Sequence, residues 1–146
     1  MKASDFFTKE EKAALVAAIE KAEKNTSGEI RVHIENKCPI DVLDRTVQVF
    51  TKLNMHKTQQ RNGVLIYLAI EDKKFAIIGD AGINSVVPAN FWDSVKEQMQ
   101  AKFVEGKFSE GICIGIEAVG EKLKAFFPYQ SDDVNELSDE ISFGKG

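Results

Sequence analysis

The sequence feature that most constrains the fold is the apolar run Val-Leu-Ile-Tyr-Leu-Ala-Ile at residues 64–70. A strand without a polar face must be covered on both sides, so this run predicts a strand in the middle of a sheet. A second apolar run at residues 75–78 follows after a short charged link. Such a short link predicts an antiparallel hairpin between the two strands.

An earlier strand precedes this hairpin, with helical patterns before and after it. Apolar and polar residues alternate over residues 29–35, which predicts one buried and one polar face. The helical pattern between this strand and residues 64–70 predicts a parallel, right-handed pair. Thr8 and Glu11 form a capping-box pattern for a first helix, and Asp41 is placed to cap a second. Two further helical patterns follow, and the order predicts a layered α/β fold with a mixed sheet.

The charge of the chain is concentrated at its end. Residues 130–146 hold five acidic residues against one lysine, which accounts for the whole net charge of −4 in a chain of 146 residues. The rest is neutral and has no basic stripe, which argues against nucleic acid as a partner. We expect one domain over residues 1–128 and a disordered acidic tail over residues 129–146, which either solubilises the chain or docks on a partner.

Several classes of protein are disfavoured by what the sequence lacks. It has no apolar run long enough to span a membrane and no apolar leader segment. Cys38 and Cys113 form neither a disulfide framework nor a zinc-site spacing, so we expect reduced thiols and a cytoplasmic protein. Glycine-rich nucleotide loops, the zinc-protease helix motif and the serine-hydrolase elbow are also absent.

The predicted topology brings polar residues to one edge of the sheet. The first two strands begin there and the third ends there, which collects Glu29, Asn62 and Asp80. Carboxylate and amide oxygens are the ligands that Ca²⁺ and Mg²⁺ prefer, so these residues are candidate metal ligands. Arg61 is a candidate clamp for a phosphate group. Alternatively Asp80 caps its turn and Glu29 pairs with an arginine, Arg31 or Arg61.

The opposite edge of the sheet carries acidic residues of its own. Asp41 and Asp44 lie there and are alternative metal ligands, because open α/β sheets usually bind ligands at the carboxyl ends of their strands. The same two residues also fit the first turn of a helix, where acidic side chains are stabilising in any case. Sequence alone leaves open which edge holds a site.

Three segments resemble the TPM domain family. They are Arg-Asn-Gly-Val-Leu-Ile-Tyr at residues 61–67, Lys-Phe-Ala-Ile-Ile-Gly-Asp-Ala-Gly-Ile at 74–83 and Phe-Val-Glu-Gly-Lys-Phe-Ser-Glu-Gly-Ile at 103–112. The resemblance implies an α/β/α sandwich, similar to a Rossmann-like fold, with helices on both faces of a mixed sheet. It also implies divalent-cation binding and, for some members, weak acid phosphatase activity and a role in photosystem repair. The matching positions are Asn62, Gly79, Asp80 and Gly82.

The sequence departs from the family pattern in two respects. Many family members carry a signal peptide and a membrane anchor, and we expect neither here. Asp80 is an additional acid within the Gly-x-x-Gly turn. A role at a thylakoid or cell envelope is therefore not carried over to this chain.

These observations predict a divalent-cation-binding TPM-like domain, with Ca²⁺ or Mg²⁺ as the cofactor. The prediction extends to a weak metal-dependent phosphomonoesterase in which Arg61 and Asp80 act in catalysis on a phosphorylated substrate. The alternative is a non-catalytic interaction module, whose loops a bound cation orders for a protein partner. The sequence does not indicate an oligomeric state.

Overall fold

The computed structural model describes residues 2–129 and 140–144. In these residues, four strands form one sheet and five α-helices surround it, with short 3-10 turns at Ala3–Asp5 and Met55–Lys57. In chain order the elements are α1 (Lys9–Glu23), β1 (Glu29–Glu35), α2 (Val42–Lys52), β2 (Gly63–Ala69), β3 (Lys74–Gly79), α3 (Ala81–Asn84), α4 (Phe91–Phe103), α5 (Phe108–Phe126) and β4 (Ser142–Phe143).

The sheet has the strand order β3-β2-β1-β4 and mixes parallel with antiparallel pairs. β1 and β2 are parallel, with Glu29 opposite Gly63 at their start. β2 and β3 are antiparallel, with Val64 opposite Gly79. The predicted parallel pair, hairpin and mixed sheet are therefore confirmed.

Helices cover both faces of the sheet, as predicted. Alternate residues of β1 and β2, among them Ile30 and Val64, join the larger core, which α1, α4 and α5 complete. The intervening residues of β2, Leu65, Tyr67 and Ala69, face α2 in a smaller core. Every residue of β2 is buried, which is why its sequence has no polar face.

The α4–α5 contact depends on glycine. A Cβ at Gly111 would lie 2.5 Å from the ring of Phe103, and one at Gly115 would lie 2.7 Å from the sulfur of Met99. The two glycines therefore let the helices approach closely, as their spacing of one turn predicts. None of the described helices combines the length and apolar character needed to cross a bilayer.

The buried face of α2 differs from the sequence prediction. The sequence predicts an apolar face that includes Leu43, Val47, Phe50 and Leu53, yet Leu43 and Val47 are 53% and 54% exposed. Phe50 of that predicted face does face the sheet, together with Thr46 and Val49. Thr46 is tolerated there because its hydroxyl donates to the carbonyl of Val42, at 2.6 Å, and so leaves no unsatisfied donor.

Part of the tail that was expected to be disordered is ordered. Residues 142–143 form β4, which pairs in parallel with β1 opposite His33 and Ile34. Ile141 and Phe143 pack against the larger core. An uncovered edge strand exposes unpaired backbone groups, so covering the edge of β1 is a reason for this segment to order. The expectation for residues 130–139 and 145–146 lies outside the described residues.

Candidate functional site

The amino rim is the edge of the sheet where β1 and β2 begin and β3 ends. Glu29, Asn62 and Asp80 meet there, as the topology predicted. The amide of Glu29 donates to the carbonyl of Asn62 at 3.3 Å, and the amide of Asp80 donates to that of Gly63 at 2.9 Å. Their exposed fractions are 2%, 1% and 7%, so three polar residues are withdrawn from water at one place.

Asp80 is engaged on both carboxylate oxygens. Arg61 donates from Nε to Oδ2 at 2.6 Å and from Nη2 to Oδ1 at 2.8 Å, which makes a bidentate pair. These hydrogen bonds raise the pKa of Arg61. Asp80 Oδ1 also accepts the amide of Ala81 and caps α3. The capping role that the sequence left open for Asp80 is therefore present, whereas its pairing with Arg61 was not predicted.

Gly82 holds the Arg61 loop against α3. Its amide donates to the carbonyl of Arg61 at 2.8 Å. A Cβ at Gly82 would lie 2.1 Å from the carbonyl oxygen of Gln60, so only glycine permits this approach. Arg61 itself has a φ of 52°. The loop that carries Arg61 and Asn62 is thus fixed by its backbone rather than by side-chain packing alone.

The turn Met55–Lys57 closes the amino rim over Gly63. A Cβ at Gly63 would lie 3.2 Å from the carbonyl oxygen of Met55. Gly63 pairs with Glu29, and both residues point to the α2 side of the sheet because their successors Ile30 and Val64 point to the other. The side chain of Glu29 therefore lies on the α2 side of the sheet, where Met55 packs in the smaller core.

Three buried polar atoms in residues 56–62 have no hydrogen-bond partner among the described residues. They are His56 Nδ1, Thr58 Oγ1 and Asn62 Oδ1. The side-chain amide nitrogen of Asn62 donates to the hydroxyl oxygen of Ser27 at 3.4 Å. Of the two polar side-chain atoms of Asn62, only Oδ1 therefore lacks a partner among the described residues. A buried polar group without a partner costs about 1–3 kcal/mol, so such a group calls for an unseen ion or water.

The described part of the chain lacks a metal site built from His, Cys, Asp and Glu side chains alone. In residues 2–129 and 140–144, no group of three or more His, Cys, Asp or Glu side chains is placed to hold a metal ion. At the amino rim Asp80 is held by Arg61, and Glu29, Thr58 and Asn62 are buried. Thr58 was not predicted as a ligand, because its burial depends on a loop conformation that no local pattern encodes.

The carboxyl rim, where β1 and β2 end, holds a buried network centred on Glu35. Arg45 donates to both Glu35 oxygens, each at 2.8 Å. The hydroxyl of Tyr67 donates to Glu35 Oε2, and His33 Nε2 lies 3.1 Å from Oε1. Burial alone would raise the pKa of Glu35, but these hydrogen bonds outweigh it and hold the pKa at about 2. Burial also raises the pKa of Tyr67 and lowers that of His33.

The network around Glu35 was not predicted from the sequence, although Tyr67 of β2 pointed to it. Tyr67 carries the one hydroxyl in an otherwise apolar buried strand, and a buried tyrosine hydroxyl usually finds a partner. The register places Tyr67 opposite His33, on the same face as Glu35. Because every oxygen of Glu35 is already engaged, this network stabilises the fold and leaves no acceptor free for a ligand.

Asp41 and Asp44 occupy the first turn of α2 at the same rim. Asp41 Oδ2 accepts the amides of Leu43 and Asp44, at 3.1 and 3.3 Å. Both aspartates are exposed. The geometry thus gives Asp41 the helix-capping role that the sequence offered as the alternative to metal binding.

Comparison with known proteins decides the family. The sequence model of the TPM domain matches residues 1–122. The chain belongs to the TPM domain family. No curated protein sequence gives a match.

Solved structures agree with this family assignment. The NMR structure of BA42 from the psychrophilic bacterium Bizionia argentinensis is 51% identical, with a TM-score of 0.91 over 98% of this chain and 99% of that chain. Two NMR structures of N-terminal domains have the same fold at lower identity. One, from P. gingivalis, is 16% identical, with a TM-score of 0.67 over 84% of this chain and 79% of that one. The other, cg2496 from Corynebacterium glutamicum, is 15% identical, with a TM-score of 0.67 over 88% and 80%.

Proposed function

We propose that this TPM domain binds a divalent cation at its amino rim, with Glu29, Thr58 and Asn62 as ligands. The observation that carries the proposal is the burial of Thr58 Oγ1 and Asn62 Oδ1 without hydrogen-bond partners among the described residues. A cation would accept both lone pairs and remove the cost of leaving them unsatisfied. The carboxylate of Glu29 would supply the negative charge that a divalent ion requires.

The donor set favours a hard ion. Carboxylate, amide and hydroxyl oxygens suit Ca²⁺ or Mg²⁺, and bound water would complete the shell. Asp80 lies at the same rim and joins the set only if Arg61 releases it, because both of its oxygens are engaged. Asp80 is therefore an additional ligand in the proposal rather than part of its minimal site.

Phosphomonoesterase activity is the second function at this rim, and the position of Arg61 favours it. Its side chain is half exposed beside the proposed ion. A guanidinium that Asp80 no longer holds would bind a phosphate group, with Asp80 then free to join the ligands of a divalent ion. Ion-bound water would then be the nucleophile, because a bound cation lowers the pKa of its water. In the alternative function, a non-catalytic interaction module for a protein partner, Arg61 and Asp80 stay paired and the ion only orders the loop.

Calorimetric titration of chelator-treated protein with Ca²⁺ and with Mg²⁺ tests the binding proposal. Asn62→Leu removes the amide oxygen at similar size, and we expect it to weaken binding at least about tenfold, as loss of one metal ligand typically does. Asp41→Asn is the matched control at the other rim and should bind as the native protein does. Equal binding by the native protein and Asn62→Leu would refute the site.

Hydrolysis of p-nitrophenyl phosphate with and without Mg²⁺ separates the two functions. Metal-dependent turnover that Asp80→Asn abolishes supports the phosphatase. Unchanged turnover in that variant would remove Asp80 from the mechanism. Saturable metal binding with no turnover above a matched inactive preparation favours the interaction module.

We also propose a cytoplasmic location, supported by the two free thiols Cys38 and Cys113.

A further inference from the structure

The C-terminal strand β4 is attached to the domain through few contacts. The amide of Gly144 donates to the carbonyl of Ile34 at 2.8 Å, and Ser142 and Phe143 lie opposite β1. The ring of Phe143 lies 5.4 Å from the ammonium of Lys12 on α1. These contacts hold residues 141–144 on the edge of β1, and all four residues are half-buried.

The chain between the domain and β4 is long enough to let the strand leave and return. Tyr129 is the last residue of the first described range, 2–129. Its amide donates to the carbonyl of Asn25, which ties it near the start of β1. Ser142 lies opposite His33, eight residues further along, which is at most about 26 Å at strand spacing. The thirteen residue steps from Tyr129 to Ser142 span up to about 45 Å when extended.

Ser142 and Gly144 lie on the face of β4 that covers the Glu35 network. The hydroxyl of Ser142 is 2.9 Å from His33 Nδ1, while His33 Nε2 faces Glu35. A Cβ at Gly144 would lie 2.5 Å from Glu35 Cβ and 2.7 Å from its Oε1. The strand therefore closes directly over His33 and Glu35, and His33 is only 6% exposed.

Burial beneath the strand disfavours a second proton on the ring of His33 and lowers its pKa. The hydrogen bond and charge of Glu35 favour that proton, whereas the charges of Arg45 and Lys52 on α2 disfavour it. Arg31 lies two residues before His33 on the same face of β1. Glu35 is the one anion in hydrogen-bond distance, and Arg45 already neutralises it. From β2 the ring of Tyr67 stacks on the imidazole, at 5.9 Å between centroids. Glu140 lies near Arg31 and partly offsets that cation.

We propose that residues 141–144 form a pH-sensitive clasp, which is closed over neutral His33 and opens when acidification protonates that imidazole. The closed state withholds water from the ring, so the charged imidazole has neither solvent nor a free counter-ion. Release of the strand hydrates the ring, so that water solvates its charge and screens its repulsion from Arg45 and Lys52. Opening also frees the carbonyl of Ile34 and the neighbouring backbone of β1 for water or another extended segment.

The clasp is tested by NMR of the full-length, chelator-treated protein between about pH 7.5 and about pH 4.5. We expect the His33 ring signals and the amides of residues 141–144 to change with one shared midpoint below 6.5, the ordinary pKa of histidine. The amides of Leu65 and Ile66 in the central strand should stay constant over the same transition. A His33 transition that leaves the amides of residues 141–144 unchanged would overturn the proposal.

Two variants test the coupling in both directions. His33→Gln cannot be protonated, so the amides of residues 141–144 should lose their transition, whereas His56→Gln at the amino rim should keep it. Gly144→Ala places a Cβ against Glu35 and should open the clasp at neutral pH. The midpoint of His33 should then rise toward 6.5. A native midpoint in Gly144→Ala, or a persisting transition in His33→Gln, would contradict the clasp.

Discussion

At the scale of single residues, the two ends of the β1–β2 strand pair show two outcomes for buried polar groups. Glu35 is 4% exposed and receives donors from Arg45, Tyr67 and His33. Asn62 at the other end of the strand pair is 1% exposed, and its amide oxygen has no donor in the described part of the chain. A satisfied group contributes to stability, whereas an unsatisfied one carries a cost that a ligand can remove.

Removing Arg45 should be costly, because it leaves the Glu35 carboxylate buried beside fewer donors. We expect Arg45→Ala to lower the free energy of unfolding by about 3 kcal/mol, the range for breaking one partner of a buried pair. Urea denaturation measures it. Lys107→Ala is the control, since its 3.5 Å pair with Glu105 is exposed and should contribute less than about 1 kcal/mol. Equal losses in both variants would contradict the role of Arg45.

The pH dependence of stability follows from the same residue. The pKa of Glu35 is about 2 in the folded protein, below its ordinary 4.5. Its ionised form therefore stabilises the fold above pH 4.5, and that contribution is lost as the pH falls from 4.5 through about 2. Denaturation at a series of pH values should show a steeper loss in the native protein than in Glu35→Gln. Identical slopes below pH 4.5 would show that Glu35 is not the group concerned.

At the scale of elements, the first helix cap, the buried strand and the hairpin were predicted correctly, because local interactions determine them. The capping box at Thr8 forms, with its amide and that of Glu11 exchanging side-chain hydrogen bonds at 2.8 and 3.1 Å. The apolar run of β2 and the short hairpin also fold as predicted. The buried face of α2 was predicted only in part: Phe50 is buried, whereas Leu43 and Val47, which fit the same helical stripe, are exposed. Tertiary packing decides between such stripes, and no local pattern records it.

Distance along the chain explains what the sequence did not reveal about β4 and the amino rim. β4 reaches β1 from 109 residues away, so neither its pairing nor the burial of His33 beneath it is visible locally. The meeting of Glu29, Asn62 and Asp80 was predictable because it needed only the strand order. Their hydrogen bonds were not, since the bidentate pair of Arg61 depends on side-chain geometry.

The α4–α5 contact gives a prediction with an internal control. Gly111→Ala places a Cβ 2.5 Å from the aromatic ring of Phe103, which cannot yield easily, and 3.2 Å from the carbonyl of Met99. Gly115→Ala meets the flexible Met99 side chain instead. We expect Gly111→Ala to destabilise the protein by about 1–2 kcal/mol, whereas Gly115→Ala should be nearly neutral because alanine favours the helix by about 1 kcal/mol. Thermal denaturation of both variants measures the difference, and the reverse order would contradict this packing account.

At the scale of the whole molecule, the sheet separates two roles along one strand pair. The carboxyl rim is a closed network around Glu35, and its exposed acids Asp41 and Asp44 belong to the start of α2. The amino rim joins the starts of β1 and β2 to the end of β3 and keeps buried oxygens of Thr58 and Asn62 without donors in the described residues. A cation that binds at the amino rim would link three chain segments and stabilise the folded state by mass action.

The central claim is that the amino rim, and not the carboxyl rim, binds a divalent cation. Titration of Ca²⁺ and Mg²⁺ into chelator-treated native protein, followed by backbone amide shifts in NMR spectra, tests it most directly. The account predicts saturable shifts that cluster at Glu29, Thr58 and Asn62. Saturable shifts clustered at Asp41 and Asp44, or no saturable shifts in residues 2–129, would contradict it.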